Sequence, residues 1–227
     1  MTSNVSQRAI YQTEIRLTEL ARKERYEEGL AIIDDFLNKY GVVNEILVQK
    51  AFFLYHYAAY LKYNHIQNHK KKALIKQNFK QAINICKLII KKLHNIDNRN
   101  LLNVRIYLAQ IYAMTSRVKE AKNIARQTFK YHPSDLTAER VADVYLRLND
   151  LPGAVSWYKT AIKLAKKTDE KSMAQIGLAI TYKKIGETSS ALEEAHKALQ
   201  LLKHSGKNKN IILLKQSVYA HFPQLKG

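Results

Sequence analysis

Eight histidines, one cysteine and a dense block of lysines are the side chains through which this 227-residue chain could do chemistry. The histidines (His56, His65, His69, His94, His132, His196, His204 and His221) are scattered. His65 and His69 stand at i, i+4, where two imidazoles could share a helix face, but no cysteine or nearby acid completes a metal site around them. A polar, basic loop is their expected setting. Cys86 lies among Ile85, Leu88 and Ile89, neighbours that point to a buried thiol rather than a reactive one. There is no glycine-rich phosphate loop, no Ser/His/Asp arrangement and no suggestive carboxylate pair. The sequence therefore reads as non-enzymatic, with no cofactor and no metal expected.

The lysines carry a different chemistry, that of long-range charge. Lysine and arginine number 38 against 19 acids, a net charge of +19, and the excess is uneven. Residues 1–50 carry a net −1, residues 51–134 a net +14 and residues 135–227 a net +6. Lys70, Lys71, Lys72, Lys76 and Lys80 crowd one loop and the helix after it, and Lys87, Lys91 and Lys92 continue along that helix. Lys119, Lys122, Arg126 and Lys130 repeat the theme further on. A coding bias toward lysine and asparagine would also favour glutamate, and residues 51–134 hold only 2 acids. Such a surface attracts acidic protein segments, nucleic-acid phosphates or anionic headgroups. Lysine outnumbers arginine and no nucleic-acid motif accompanies it, which speaks against base-specific reading.

The elements that must position these groups are helices. With 46% apolar residues, 3 prolines and 7 glycines, few breaks interrupt the pattern. Leu178, Ala179 and Tyr182, then Ala191, Ala195 and Ala198, sit at helical spacing on either side of Gly186, placed where a helix should stop. The same grid recurs as Val141, Ala142 and Tyr145 before Ala154, Tyr158 and Ala161, and as Leu108, Ala109 and Tyr112 before Ala121 and Ala125, with Pro133 behind them. Tyr112, Tyr145 and Tyr182 lie 33 and 37 residues apart, a period that marks a two-helix solenoid repeat.

These residues resemble the tetratricopeptide repeat. That pattern asks for a large-small pair, an aromatic three residues later, then alanine, an aromatic or alanine, alanine, and a closing proline. Residues 172–203 match best, 135–168 nearly as well, and 102–134 supply the proline. Where the pattern often opens on tryptophan this chain has Arg105, Ala138 and Gln175. The resemblance implies an all-α, right-handed α-solenoid of antiparallel helix pairs. About five repeats in one domain spanning 1–227 are expected. They are a degenerate first repeat at 7–41, with Gly29, Ile33 and Phe36 at the alanine-aromatic-alanine offsets, a long second repeat at 44–94 with a basic insertion, then 102–134, 135–168 and 172–203. Residues 208–222 form a capping helix stopped by Pro223. Residues 44–63 hold two phenylalanines and four tyrosines, which suits a central helix buried on more than one face. A second reading lets Tyr55, Tyr57 or Tyr60 contact a partner. A loop is expected before Ala73 and another at 94–100.

No apolar run reaches the roughly 18 residues needed to span a bilayer, and the first residues do not read as a secretory signal. With a single cysteine, a cytoplasmic setting is expected. The resemblance also implies a binding function. In the family, the first helices of successive repeats line a concave groove that receives a partner peptide or helix. The corresponding positions here are Asn103, Ile106 and Gln110; Glu139, Asp143 and Arg147; and Ile176, Ile180 and Lys184. Ile106 and Gln110 replace the lysine-asparagine pair with which some members hold a peptide carboxylate, and Glu139 with Asp143 would repel one. An adaptor with a mixed, acidic-centred groove is the leading expectation. A nucleic-acid-associated protein contacting phosphates through its lysine-rich surface is the alternative.

Overall fold

A computed structural model describes residues 5–64, 69–92, 97–203, 205 and 209–226 of the chain. The described residues form α1 (Gln7–Arg22), α2 (Tyr26–Tyr40), α3 (Asn44–Asn64), α4 (His69–Lys92), α5 (Asn98–Met114), α6 (Val118–Tyr131), α7 (Asp135–Arg147), α8 (Leu151–Leu164), α9 (Thr168–Ile185), α10 (Thr188–Lys203) and α11 (Lys209–His221). A short turn of 3-10 helix, Pro223–Leu225, follows, and there is no strand among the described residues. The chain divides into two compact units, residues 1–111 and 112–227, with the boundary inside α5. Within each unit, neighbouring helices pack as antiparallel pairs, the all-α arrangement of a helical-repeat solenoid.

In the first unit, Ile10, Leu17 and Leu20 of α1 meet Ile33 and Phe36 of α2 and Ile46 and Phe53 of α3 in one buried cluster. Helix α3 is buried around its circumference between α2 and α4, which accounts for its aromatic density. Tyr55 and Tyr57 are buried and Tyr60 is half-buried, and the Tyr57 hydroxyl donates to Glu27. Helix α4 begins at His69 rather than near Ala73. Lys70, Lys71 and Lys72 therefore sit on the helix and not in a loop. Lysine is a good helix former, and no glycine or proline separates it from Ala73. His65, His94 and His204, with residues 65–68, 93–96 and 206–208, lie outside the described residues, and the loop expected at 94–100 is shorter than that, because α5 already begins at Asn98.

The second unit is held together by small residues. Ala138, Ala161 and Ala174 bury together beneath Phe129 and Trp157, so the helix axes approach closely where the alanines cross. At the far end, Val218 of α11 and Phe222 just beyond it pack on Ile176, Ala179, Ala191, Ala195 and Ala198. The Lys183 ammonium donates to the His221 carbonyl at 2.6 Å, so α11 closes the last pair as a capping helix.

The turns after α5, α7 and α9 share one construction. The N–H groups of Arg117, Asp150 and Glu187 donate to the carbonyls of Tyr112, Tyr145 and Tyr182, five residues back, at 2.8, 3.0 and 3.0 Å. The residue just before each of those donors is left-handed: Ser116 (φ 61°), Asn149 (φ 58°) and Gly186 (φ 95°). This is the hydrogen-bonded helix ending that glycine favours. The first unit repeats it at Glu24 (φ 54°), where the Arg25 N–H donates to the Leu20 carbonyl at 2.9 Å. Leu20 thus stands in the place of the anchor tyrosines. Since a left-handed L-residue costs roughly 1–2 kcal/mol and glycine loses more entropy on folding, Ser116→Gly should stabilise the exposed turn by about 0.5–1 kcal/mol. A thermal melt should show the midpoint rising by about 1–4 °C; an unchanged or lower midpoint would remove the argument for strain at this turn.

Candidate functional site

The nine groove positions fall on three helices. Asn103, Ile106 and Gln110 lie on α5 within the first unit, where Ile106 and Gln110 are buried and Asn103 is half-buried. The other six lie in the second unit on α7 and α9, two helices that pack on each other. On α7, Glu139, Asp143 and Arg147 follow at i, i+4 and i+8 along one face, and on α9 Ile176, Ile180 and Lys184 do the same. Arg147 and Lys184 are exposed, Ile180 and Asp143 are half-buried, and Ile176 and Glu139 are buried. The face thus carries acid in its middle, an aliphatic stripe beside it and two cations at the helix ends.

The acids are set by what surrounds them. The Tyr158 hydroxyl on α8 donates to Asp143 Oδ1 at 2.5 Å, and the Arg140 guanidinium stands 3.8 Å from the other oxygen. Burial raises the Asp143 carboxyl above its usual range, opposed by Tyr158 and the two arginines, Arg140 and Arg147. Tyr158 is itself locked in place. Its ring is buried against Gly177 of α9, where even a Cβ would come within 2.2 Å of the ring. Glu139 has less support. It is 8% exposed, and among the described residues it finds no hydrogen-bond or ion-pair partner. Burial, then the neighbouring charge of Asp143, push its carboxyl up to about 7. Taking a carboxyl largely out of water is costly, and sequence reasoning placed Glu139 on this face without revealing how far it is buried.

The lysine block lies entirely on α4. Lys70, Lys72, Lys76, Lys80, Lys87 and Lys91 are exposed and Lys71 is half-buried, while Lys92 is the last residue of the helix. Lys72, Lys76, Lys80, Lys87 and Lys91 make no ion pair among the described residues. On α6 the theme is weaker, because Lys122 is bound to Asp150 at 2.5 Å. Cys86 is buried, and its thiol is pushed up to about 12 by burial. No group of three histidine, cysteine or acidic side chains is placed to hold a metal among the described residues. No helix there is long and apolar enough to cross a membrane.

No family model matches the chain, and no curated protein matches it. Solved structures do. TTC0263, a thermophilic TPR protein of Thermus thermophilus, is 15% identical with a TM-score of 0.60, the match covering 92% of this chain and 98% of that one. PlcR of Bacillus thuringiensis, in complex with the peptide PapR7 and DNA, is 16% identical with a TM-score of 0.61, covering 95% of this chain and 76% of that one. BtubC (BKLC) from P. vanneervenii is 12% identical with a TM-score of 0.60, covering 88% and 82%. These likenesses show that the chain has the tetratricopeptide-repeat-like fold.

Proposed function

We propose that the chain is a non-catalytic interaction module of the cytoplasm, whose second unit holds a segment of a partner protein on the face formed by α7 and α9. The observation that carries this reading is Glu139, a largely buried carboxyl raised above its usual range in the middle of that face. A lysine or arginine from the partner would satisfy it, with Asp143 beside it. Ile180 offers apolar contact, and Arg147 and Lys184 favour acid at the partner's other end. That PlcR, with the same kind of fold, is in complex with a peptide supports the reading. Array screening of decapeptides for binding to the full chain tests it. Lysine- and arginine-containing peptides should be enriched, and Glu139→Gln should abolish their retention. Enrichment of acidic peptides that ignores Glu139→Gln would count decisively against it.

The α4 row supports a second contact, with an anionic partner. Lys72, Lys76 and Lys80 are like charges at i, i+4, each pair destabilising a helix by roughly 0.2–0.5 kcal/mol. Their change to glutamine should therefore raise the melting midpoint by about 1–4 °C. The same triple variant should flatten the salt dependence of polyanion binding, nucleic acid included, because fewer counterions are released. Affinity for heparin and for single-stranded DNA, measured at two salt concentrations, reads this out. An unchanged salt slope would leave the row as solvated surface.

A further inference from the structure

A cleft of about 760 Å³ opens between the first half of α9 and the last turns of α10, inside the second unit. Thr168, Lys171 and Gln175 line it from α9, at the i, i+3, i+7 spacing of a single helix face. Lys197, Gln200 and Lys203 line it from α10. Every ionisable group in that lining is a cation. The Lys197 ammonium is held by Glu193 at 2.7 Å and Glu194 at 2.8 Å, whereas Lys171 and Lys203 make no ion pair among the described residues. An independent observation points the same way. Gln175 is 6% exposed, and its Oε1 is buried with no hydrogen-bond partner. This is a position where the repeat pattern often has an apolar tryptophan, so folding does not explain an amide there. A buried polar atom left unpaired is destabilising, and two lysines facing one cleft repel each other.

We infer that this cleft binds a small phosphate-bearing ligand that also carries hydroxyl groups, the chemistry of a sugar phosphate. Lysine ammonium groups bind phosphate as point charges, and Lys171 and Lys203 supply two of them. The Gln175 amide takes a hydroxyl of the same molecule, with Thr168 and Gln200 at the rim. The volume suits a ligand of that size. The site is separate from the α7–α9 face, whose acidic centre would repel a phosphate.

Calorimetric titration of the full chain at low salt with ribose 5-phosphate, inorganic phosphate and ribose tests the inference. Ribose 5-phosphate should bind one-to-one, inorganic phosphate more weakly and ribose not at all. The Lys171→Gln/Lys203→Gln pair should weaken both phosphate probes about tenfold or more. Gln175→Leu should weaken ribose 5-phosphate about tenfold, leave inorganic phosphate unchanged and raise the melting midpoint by roughly 2–4 °C. The Lys72, Lys76 and Lys80 triple variant should bind all three probes as the parent does. Absence of saturable binding overturns the inference. So does binding that ignores the lysine pair, or that falls equally in the α4 variant, since that is non-specific charge. Equal affinity for phosphate and ribose 5-phosphate overturns the role given to Gln175.

Discussion

Gly177→Ala should lower the melting midpoint by roughly 6–12 °C, a loss of about 3 kcal/mol. In an ordinary helix the change would stabilise, because alanine is the better helix former by about 1 kcal/mol. Here the added carbon would meet Cε1 of Tyr158 at 2.2 Å and Cζ at 2.5 Å. Tyr158 is 2% exposed, so its ring has no open space to swing into. Its hydroxyl is held by Asp143 at 2.5 Å, and moving the ring breaks that bond in a buried setting. Overpacking of this kind costs about 1–3 kcal/mol, and an orphaned buried acceptor adds about 1–3 more. Together they outweigh the helix-propensity gain. Adding Tyr158→Leu to Gly177→Ala should recover part of the loss, because the smaller side chain makes room. A double-mutant cycle measured by thermal melts decides: a coupling near zero would show that ring and glycine do not meet.

How much of this was readable beforehand differs by level. The helix pairs α7–α8 and α9–α10 were legible because their anchors are chemically distinctive: Tyr145 and Tyr182, with alanines at the crossings. The turn that ends each first helix was legible only at Gly186. At Glu24, Ser116 and Asn149 the same left-handed geometry is adopted by residues whose type does not announce it. The first pair consequently looked degenerate, although its backbone ends α1 in the same way. The start of α4 was missed for the opposite reason. A run of lysines reads as loop by charge, while its helix propensity and the lack of any breaker extend the helix back to His69. Candidate groove residues could be placed on helices by offset alone. Burial could not, because it depends on the neighbouring helix. Offset treats Glu139 and Arg147 alike, yet the structure buries one and exposes the other. The orphaned amide of Gln175 belongs to the same class, visible only once α10 is packed beside it.

Glu139→Gln should stabilise the fold above neutral pH and at the same time destroy the proposed partner contact. The Glu139 carboxyl is raised from 4.5 to about 7 by burial and by Asp143. The folded chain therefore holds this proton over a range in which the unfolded chain has released it. Stability is then greatest below about pH 4.5 with respect to this group, falls as pH rises through that interval, and carries the full penalty above about 7. A displacement of this size corresponds to something on the order of 3 kcal/mol. Glutamine has nearly the same shape and never ionises. The variant should therefore melt close to the parent at pH 5 and roughly 6–12 °C higher at pH 8. Binding should move the other way. A cationic partner group favours the ionised carboxylate, so the parent's affinity for a basic peptide should rise as pH increases from 6 to 8, while the variant's should be weak and flat. Melts and peptide titrations at pH 5, 6, 7 and 8 separate the two claims. If the variant gains no stability at pH 8, Glu139 is not a buried, unpaired acid. If it gains the stability and still binds the peptide as the parent does, the acid is buried but does not face the partner.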